Sequence, residues 1–256
     1  MEETRLQKLT SRDKRLLWIA IGIAIISGVI AWIYFDDAFP EANIRFEVDR
    51  DASQTIATQF LNSRGLEVTP YRHASMFDYN TEAKVYLERE VGLEEANQLM
   101  GDAIKIWRWN HRWYQSRQKE EFRVHVTPRG AVSRFQHIIP EDAGGARLPR
   151  TDAEVLAREF VTEEVGRSLA PFTLIEHSAE NLPNRTDHTF TWERTDLLDT
   201  DATYRYEVVV QGDQFGGFRE YLKVPEAWSR SYQEMRSANN TTSIVDSLFL
   251  LLTMVA

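Results

Sequence analysis

The sequence predicts an α+β fold: an N-terminal transmembrane helix, then two helix-plus-antiparallel-sheet repeats, then the start of a second membrane helix. Three observations predict it. A stretch of uncharged residues lies near the N-terminus, one helix-then-strands pattern occurs twice after it, and an apolar run ends the chain. The predicted divisions are a cytoplasmic tail (1–15), a transmembrane helix (16–35), a first repeat (43–141) with a helical insert (81–100), a second repeat (151–228) and a truncated hydrophobic segment (243–256).

The membrane segment from Leu16 to Phe35 reads LLWIAIGIAIISGVIAWIYF and contains no charge. At 1.5 Å per residue it spans about 30 Å, the thickness of a bilayer core. Basic residues precede it and acidic residues follow it, so the positive-inside rule predicts a cytoplasmic N-terminus and an extracytoplasmic (periplasmic) remainder. The lipid bilayer is therefore the first expected partner. A buried soluble helix and a cleaved signal peptide are the alternatives, but residues 33–37 offer no small-x-small cleavage site.

Two helices are predicted to open the repeats. Residues 51–61 carry apolar side chains at helical spacing, and Gly65 ends this helix. In the second repeat Thr151 and Glu154 match a capping box, and Gly166 ends the helix.

Strands are predicted after each helix, because apolar and polar residues then alternate. The second and third strands of each copy are joined at a glycine turn, and both copies close on Pro-Glu, at Pro140 and Pro225. Residues 141–150 are the predicted linker. The predicted strands are 107–113, 122–126 and 135–139 in the first copy and 188–192, 204–210 and 218–224 in the second.

The C-terminal run, residues 243–256, is too short to cross a bilayer. It is predicted to be the opening of a second membrane helix cut off by the end of the chain, which makes the sequence a fragment of a longer membrane protein. The alternative is an amphipathic or buried terminal helix.

Composition excludes several functions. The 256 residues include no cysteine, so disulfides, thiolate catalysis and cysteine-based zinc sites are excluded. Residues 1–15 carry five basic and three acidic side chains, and the whole chain has a formal charge of −9, so residues 16–256 carry −11. A region this acidic is a poor partner for polyanions, and no nucleic-acid partner is expected.

Histidines are the first candidates for chemistry. No H-E-x-x-H occurs. His111, His125 and His137 lie on predicted strands and would form a metal site if they met across the sheet. The alternative, sheet histidines with ordinary partners, is favoured, and no metal ligand or cofactor is predicted. The six histidines are His73, His111, His125, His137, His177 and His188.

Aromatic and charged clusters are the other candidates. Four tryptophans on the predicted strands would line a ligand groove or, as is commoner, form the sheet core; they are Trp107, Trp109, Trp113 and Trp192. Residues 119–121 (Lys-Glu-Glu) are interpreted as a solvated turn. Glu163, Glu164 and Arg167 are interpreted as the solvated end of a helix.

No catalytic residue is predicted. The chain contains no G-x-S-x-G elbow and no Gly-rich phosphate loop. Whether the chain belongs to an enzyme is left open. An exported hydrolase or metal-binding domain that uses the strand histidines is the least favoured hypothesis.

Four segments resemble the N-terminal extension of some bacterial CPBP-family intramembrane proteases (the CAAX-protease and bacteriocin-processing family). The similarity runs in order from about residue 36 to 240. The segments are 82–90 (EAKVYLERE), 118–124 (QKEEFRV), 183–193 (PNRTDHTFTWE) and 222–228 (LKVPEAW). The resemblance implies that the chain is the anchor and extracytoplasmic accessory or regulatory region of an intramembrane endopeptidase, a hydrolase whose catalytic bundle is absent from this chain.

The catalytic signature of that family is a Glu-Glu-x-x-x-Arg motif with Phe-x-x-x-His and a further His motif on membrane helices. None of these is present, and Glu163-Glu164 to Arg167 is one spacer residue too short. No catalytic residue is therefore carried over.

The repeats also resemble the PepSY-type module, a small exported domain with a helix-then-strands plan. This resemblance implies the alternative function: a non-enzymatic, single-pass membrane protein that binds a peptide or protein partner, for instance by strand addition at a sheet edge.

Overall fold

The computed structural model describes residues 10–35, 44 and 46–239. The chain divides into two units, Met1–Ile44 and Arg45–Ala256, and each is described by itself. The predicted hydrophobic segment 243–256 and most of the predicted tail lie outside the described residues.

Helix α1 (Ser11–Ile33) is the secondary structure of the first unit. Thr10 caps it, accepting a hydrogen bond from the backbone N–H of Asp13. Its 23 residues span about 35 Å, and none of them is buried. Within the described ranges it is the one helix long and apolar enough to cross a membrane. Such a helix serves as a membrane anchor or as a signal sequence.

The second unit contains a helix followed by four strands, twice. The first copy comprises α2 (Arg50–Asn62), β1 (Arg72–Tyr79), α3 (Thr81–Glu90), α4 (Leu93–Gln98), a π-helical turn (Leu99–Ala103), β2 (Trp107–Tyr114), β3 (Glu121–Val126) and β4 (Val132–Ile138). The second copy comprises α5 (Arg150–Glu159), a π-helical turn (Phe160–Glu164), β5 (Thr173–Asn181), β6 (Thr186–Arg194), β7 (Thr203–Gln211) and β8 (Gln214–Lys223). Residues 226–239 are helical.

All eight strands form one antiparallel sheet in the order β1-β2-β3-β4-β8-β7-β6-β5. The two copies meet where β4 pairs with β8 and Phe135 stands opposite Phe218. The predicted α+β class is confirmed. The copies share one sheet, so neither copy has a separate core.

Helices α2 and α5 cover one face of this sheet and provide equivalent core residues. Ala57 and Leu61 of α2 are fully buried, as are Ala157 of α5 and Val161 just after it. Under them lie the buried side chains of alternate strand positions, Trp107, Trp113, Phe122, Val124, Phe135, Phe190, Trp192, Tyr206, Val208 and Phe218. We call this side of the sheet the covered face.

The helix ends are set by glycine. Gly65 and Gly166 adopt φ values of 71° and 69°, the left-handed conformation that ends a helix at little cost for glycine, as predicted. The predicted capping box is wrong. The N-cap lies two residues earlier, at Pro149, which makes no side-chain cap bond, and the Glu154 carboxylate binds Arg158 at 2.7 Å.

Strands β1 and β5, the first strand of each copy, were not among the predicted strands. They form the two edges of the sheet, β1 paired with β2 and β5 paired with β6. The signal for β1 is an alternation that places His73, Ser75 and Phe77 on one face and residues such as Ala74 and Met76 on the other.

Candidate functional site

The largest depression that we describe lies on the covered face, at the seam between the two copies. It has a volume of about 1060 Å³. We call it the inter-repeat cleft; its lining residues are Ile56, Gln59, Phe60, Ser63, Arg64, Gly65, Leu66, Val132, Phe135, His137, Glu164, Asp213, Gln214 and Phe215. Helix α2 supplies one wall, strand β4 the floor, and the β7–β8 turn the opposite wall.

Phenylalanines line both walls of the cleft. Phe60 lies on α2 and packs edge-on against Phe135 of β4, with ring centroids 5.4 Å apart. On the other side Phe160, which occupies the equivalent position of the second copy, packs on Phe215 with centroids 4.2 Å apart. The cleft therefore has an apolar floor and apolar walls, because Phe60 and Phe215 line it and Phe160 is buried against Phe215.

An ion pair joins the two copies at the rim of the cleft. A terminal nitrogen of Arg64 lies 2.9 Å from the carboxylate of Glu164. The guanidinium carbon also lies 3.6 Å from the ring centroid of Phe60. Burial lowers the pKa of Arg64, opposed by the charge of Glu164, and its buried Nε has no hydrogen-bond acceptor among the described residues. The rim of the cleft therefore carries a guanidinium group that is paired with Glu164 and packed on the ring of Phe60.

The end of the cleft nearest β3 is closed by a hydrogen-bonded chain. His137 Nε2 lies 2.8 Å from the carboxylate of Glu120, and the hydroxyl of Tyr71 donates to the same carboxylate at 2.9 Å. Burial, with the neighbouring Glu120, raises the pKa of Tyr71 to about 12. The histidine of the cleft is thus held by a carboxylate at the rim, and the cleft combines apolar surface with a few fixed polar groups, as binding sites do.

The three strand histidines that were candidates for a metal site are not brought together. His111 and His137 lie on the covered face, and His125 lies on the opposite face, because its strand position has the other parity. Across residues 10–35, 44 and 46–239 no three side chains of the His, Cys, Asp and Glu types form a metal-binding group.

His111 instead belongs to a buried hydrogen-bond chain between β1, β2 and α2. Its Nδ1 lies 3.0 Å from Nε2 of His73, and its Nε2 lies 3.0 Å from the hydroxyl of Ser53. Ser53 donates its own proton to the carbonyl of Arg50 at 2.7 Å, so it accepts from His111. The chain is complete with neutral histidines. Ser53 is fully buried and its proton is used, so this serine is structural.

The second copy repeats this pair. His177 Nε2 lies 3.0 Å from His188 Nδ1, and His188 Nε2 lies 3.0 Å from the carbonyl of Leu148. The acceptor is therefore a backbone carbonyl where the first copy uses a serine hydroxyl. Neither sequence spacing nor residue type indicates these pairs; only the register of β1 with β2 and of β5 with β6 places them together.

The four tryptophans that the sequence offers as candidates have structural roles. Trp107, Trp113 and Trp192 are buried in the sheet core. Trp109 is partly buried and donates from Nε1 to the carbonyl of Val48 at 3.0 Å. None of the four tryptophans lines the inter-repeat cleft.

The charged clusters agree only in part with their predicted roles. Glu163 and Glu164 are exposed at the end of the helical segment, as predicted, and Glu164 also forms the inter-repeat ion pair described above. Arg167 binds the buried Glu220 at 3.0 Å. The prediction of a solvated turn at residues 119–121 is wrong at its end, since Glu121 is only 7% exposed and accepts hydrogen bonds from Arg112. Alternation places Glu121 in β3, and it is buried because arginines cover it.

Comparisons with known proteins give little beyond this geometry. No family model matches the chain, and no curated protein matches it. The chain is similar to the solved structure of the Bacillus megaterium YpeB C-terminal domain, with 13% identity and a TM-score of 0.38. The match covers 68% of this chain and 63% of that one, so the chain spans less than two thirds of that structure. A likeness this weak carries no argument about function, and nothing in the comparisons supports a relationship to CPBP proteases.

Proposed function

We propose that the chain is a membrane-anchored, extracytoplasmic binding module whose inter-repeat cleft holds a segment of a peptide or protein partner. The observation that carries the proposal is the cleft itself: about 1060 Å³, walled by Phe60 on one side and Phe215 on the other, with the ion pair of Arg64 and Glu164 at its rim. Apolar walls bury a partner's side chain, and the few polar groups at the rim orient the bound segment.

The anchor and its direction are part of the proposal. Helix α1 is long enough to span a bilayer, and basic residues precede its apolar part while acidic residues follow it. This asymmetry supports a cytoplasmic N-terminus and an extracytoplasmic binding module.

The test uses the full chain in detergent micelles. A displayed library of random peptides is selected on it, and labelled peptides from the selection are measured by fluorescence anisotropy. Gln59→Trp fills the cleft from the exposed surface of α2, and Thr55→Trp is the matched control on the same helix outside the cleft. We expect Gln59→Trp to weaken binding by about tenfold or more, a loss of about 1.4 kcal/mol, and Thr55→Trp to leave it unchanged.

Two results would overturn this proposal. One is a selection that enriches no peptide. The other is a set of peptides that bind both tryptophan variants as tightly as the unaltered chain, since such peptides would not occupy the cleft.

A second candidate function is an accessory region of a CPBP-like intramembrane endopeptidase, favoured by the four segments quoted above and their order along the chain. Reading the coding sequence beyond codon 256 tests it. A downstream Glu-Glu-x-x-x-Arg motif in an apolar segment would support this function, and an immediate stop codon would contradict it.

A further inference from the structure

The face of the sheet opposite α2 and α5, which we call the polar face, carries a cluster of arginines in the first copy. Arg108 and Arg112 come from β2, Arg123 from β3 and Arg134 from β4, and they surround His125. Together these side chains line an open depression of about 320 Å³. We call it the arginine trough; its lining residues are Ala74, Ser75, Met76, Arg108, Asn110, Arg112, Arg123, His125 and Arg134.

Strand register concentrates like charges in the trough. Arg112 stands directly opposite Arg123, and Arg134 stands directly opposite His125 on one side and Arg219 on the other. Like charges at opposed positions of an antiparallel pair are destabilising. The sheet therefore keeps an unfavourable arrangement here, in a chain whose formal charge is −9.

Carboxylates neutralise only part of this charge. Asp78 binds Arg108 at 2.8 Å, and Glu121 is shared between Arg112 and Arg123. Arg134 donates to the neutral side chain of Gln136 at 3.1 Å and forms no ion pair with a carboxylate in the described part of the chain. Four guanidinium groups thus face two carboxylates, which leaves two positive charges.

The excess positive charge lowers the pKa values of basic groups in the trough. Burial lowers the pKa of Arg134, and the neighbouring Arg219 and Arg108 lower it further. Burial, with the charges of Arg108 and Arg134, lowers the pKa of His125 to about 2, so this histidine is neutral and adds no charge. An anion in the trough would reverse these electrostatic penalties.

The arginines of the trough are accessible to a ligand. The side chains of Arg112 and Arg123 are 47% and 40% exposed. Guanidinium groups donate in a planar fork that matches a carboxylate, which supplies two acceptors at once.

The shape of the polar face favours an extended ligand over a small ion. A second depression of about 480 Å³ shares Arg134 with the trough and continues over β8 and β7, where Gln211 lines it together with Arg219 and Glu207, which form an ion pair at 2.7 Å. The path from β2 to β7 crosses four strand spacings, about 19 Å, which is the length of about six extended residues.

We propose that the arginine trough binds the carboxylate side chains of an acidic peptide segment that lies across the polar face of the sheet. The trough and the inter-repeat cleft are on opposite faces, so this site is independent of the function proposed above.

The test measures anisotropy of a labelled, alternating Glu-containing peptide of about eight residues, with the full chain in detergent micelles at low salt. Arg134→Gln and Arg123→Gln each remove one charge from the trough. Arg205→Gln is the matched control, because Arg205 lies in the second copy, paired with Glu193 at 2.6 Å. We expect each trough variant to weaken binding by about tenfold, the control to change it less than about twofold, and the same peptide with Gln for Glu not to bind.

Circular dichroism of each variant checks that it is folded, and two trough variants keep the test decisive if one of them is not. Equal binding by the trough variants and the control would overturn the proposal, as would equal binding of the Glu and Gln peptides. Inorganic phosphate alone and vesicles containing phosphatidylserine form the other arms. Binding of either one that depends on Arg134, without binding of the peptide, would assign the trough to a free oxyanion or a lipid and would also overturn the peptide assignment.

Discussion

The two copies of the module agree on the covered face and differ on the polar face. On the covered face both place a histidine pair at the same strands, His73 with His111 and His177 with His188, at 3.0 Å in each case. On the polar face of the second copy arginines are matched one to one, as Arg205 is with Glu193. In the first copy the arginines outnumber their carboxylates.

This difference reflects the different physical requirements on the buried face and the solvated face of the sheet. A buried face must fill space, so both copies keep apolar side chains and a histidine pair there. A solvated face has no such requirement, so its charges diverge. An excess of one charge that persists there is more informative about binding than any residue of the core.

The largest expected effect compares the two equivalent phenylalanines. Phe160 is fully buried, whereas Phe60 is partly exposed in the cleft wall. We expect Phe160→Ala to lower the free energy of unfolding by about 3–5 kcal/mol and Phe60→Ala to lower it by about 1–2 kcal/mol, in proportion to the smaller area it buries. Chemical denaturation followed by tryptophan fluorescence measures both. Equal losses would contradict the comparison, since they would mean that Phe60 and Phe160 bury the same area.

The second-largest expected effect is a loss of stability in acid, caused by protonation of the histidine pairs. Burial, with the charges of His73 and Arg50, lowers the pKa of His111 to about 4, and burial also lowers the pKa values of His73 and His177. Because the unfolded chain binds these protons near pH 6.5, the histidine contribution to stability is complete above pH 6.5 and is lost as the pH falls toward 4.

We expect the free energy of unfolding to fall by about 2–3 kcal/mol between pH 7 and pH 5, measured by denaturation at fixed temperature. His125, whose pKa burial also lowers, adds to this slope, so a His111→Gln variant would lose only the share of His111 and keep that of His125. A slope that is unchanged in this variant would show that other groups carry the acid sensitivity.

A smaller effect is expected from the hydrogen-bond acceptor of the buried histidine, which is a serine hydroxyl in the first copy and a backbone carbonyl in the second. Ser53→Ala removes the acceptor of His111 Nε2 and is expected to cost about 1–3 kcal/mol. In the second copy the equivalent position is already Ala153, because the carbonyl of Leu148 accepts from His188. Ser63→Ala, at the exposed end of α2, is the control and is expected to change stability by less than about 0.5 kcal/mol. If both serine variants cost the same, the buried bond has no special role.

The smallest effect concerns the ion pair at the seam. Glu164 is partly exposed, so Glu164→Gln is expected to cost less than about 1 kcal/mol, and less still at high salt. Denaturation at two salt concentrations measures it. A loss well above this value would mean that Arg64 and Glu164 hold the two copies together.

Elements that depend on local sequence patterns were predicted correctly, whereas elements that depend on contacts between distant residues were missed. The helix that Gly65 ends and the strand that begins at Trp107 were predicted correctly, because each is written in a local period. Strand β1 was missed because its apolar positions are mixed with His73 and Ser75, which are polar in sequence and become acceptable inside only through partners on β2 and α2.

The candidate site was less predictable than the fold. The sequence places His111 and His125 on strands, but their distance along the chain does not indicate which face each one occupies. Glu121 was assigned to a turn because it follows two charged residues, and its burial depends on arginines from two strands. The cleft lies where β4 pairs with β8, and no local sequence pattern predicts this pairing.

The sequence by itself determined the membrane-length helix, the two helix-plus-strands copies and the glycine helix ends, because helical period, strand alternation and glycine conformation act over a few residues. Only the tertiary structure decided that the copies share one sheet through Phe135 and Phe218, and that arginines of three strands meet around His125. Strand order and register are set by pairing energies between distant residues, summed over the whole sheet, and no single segment of the chain contains them.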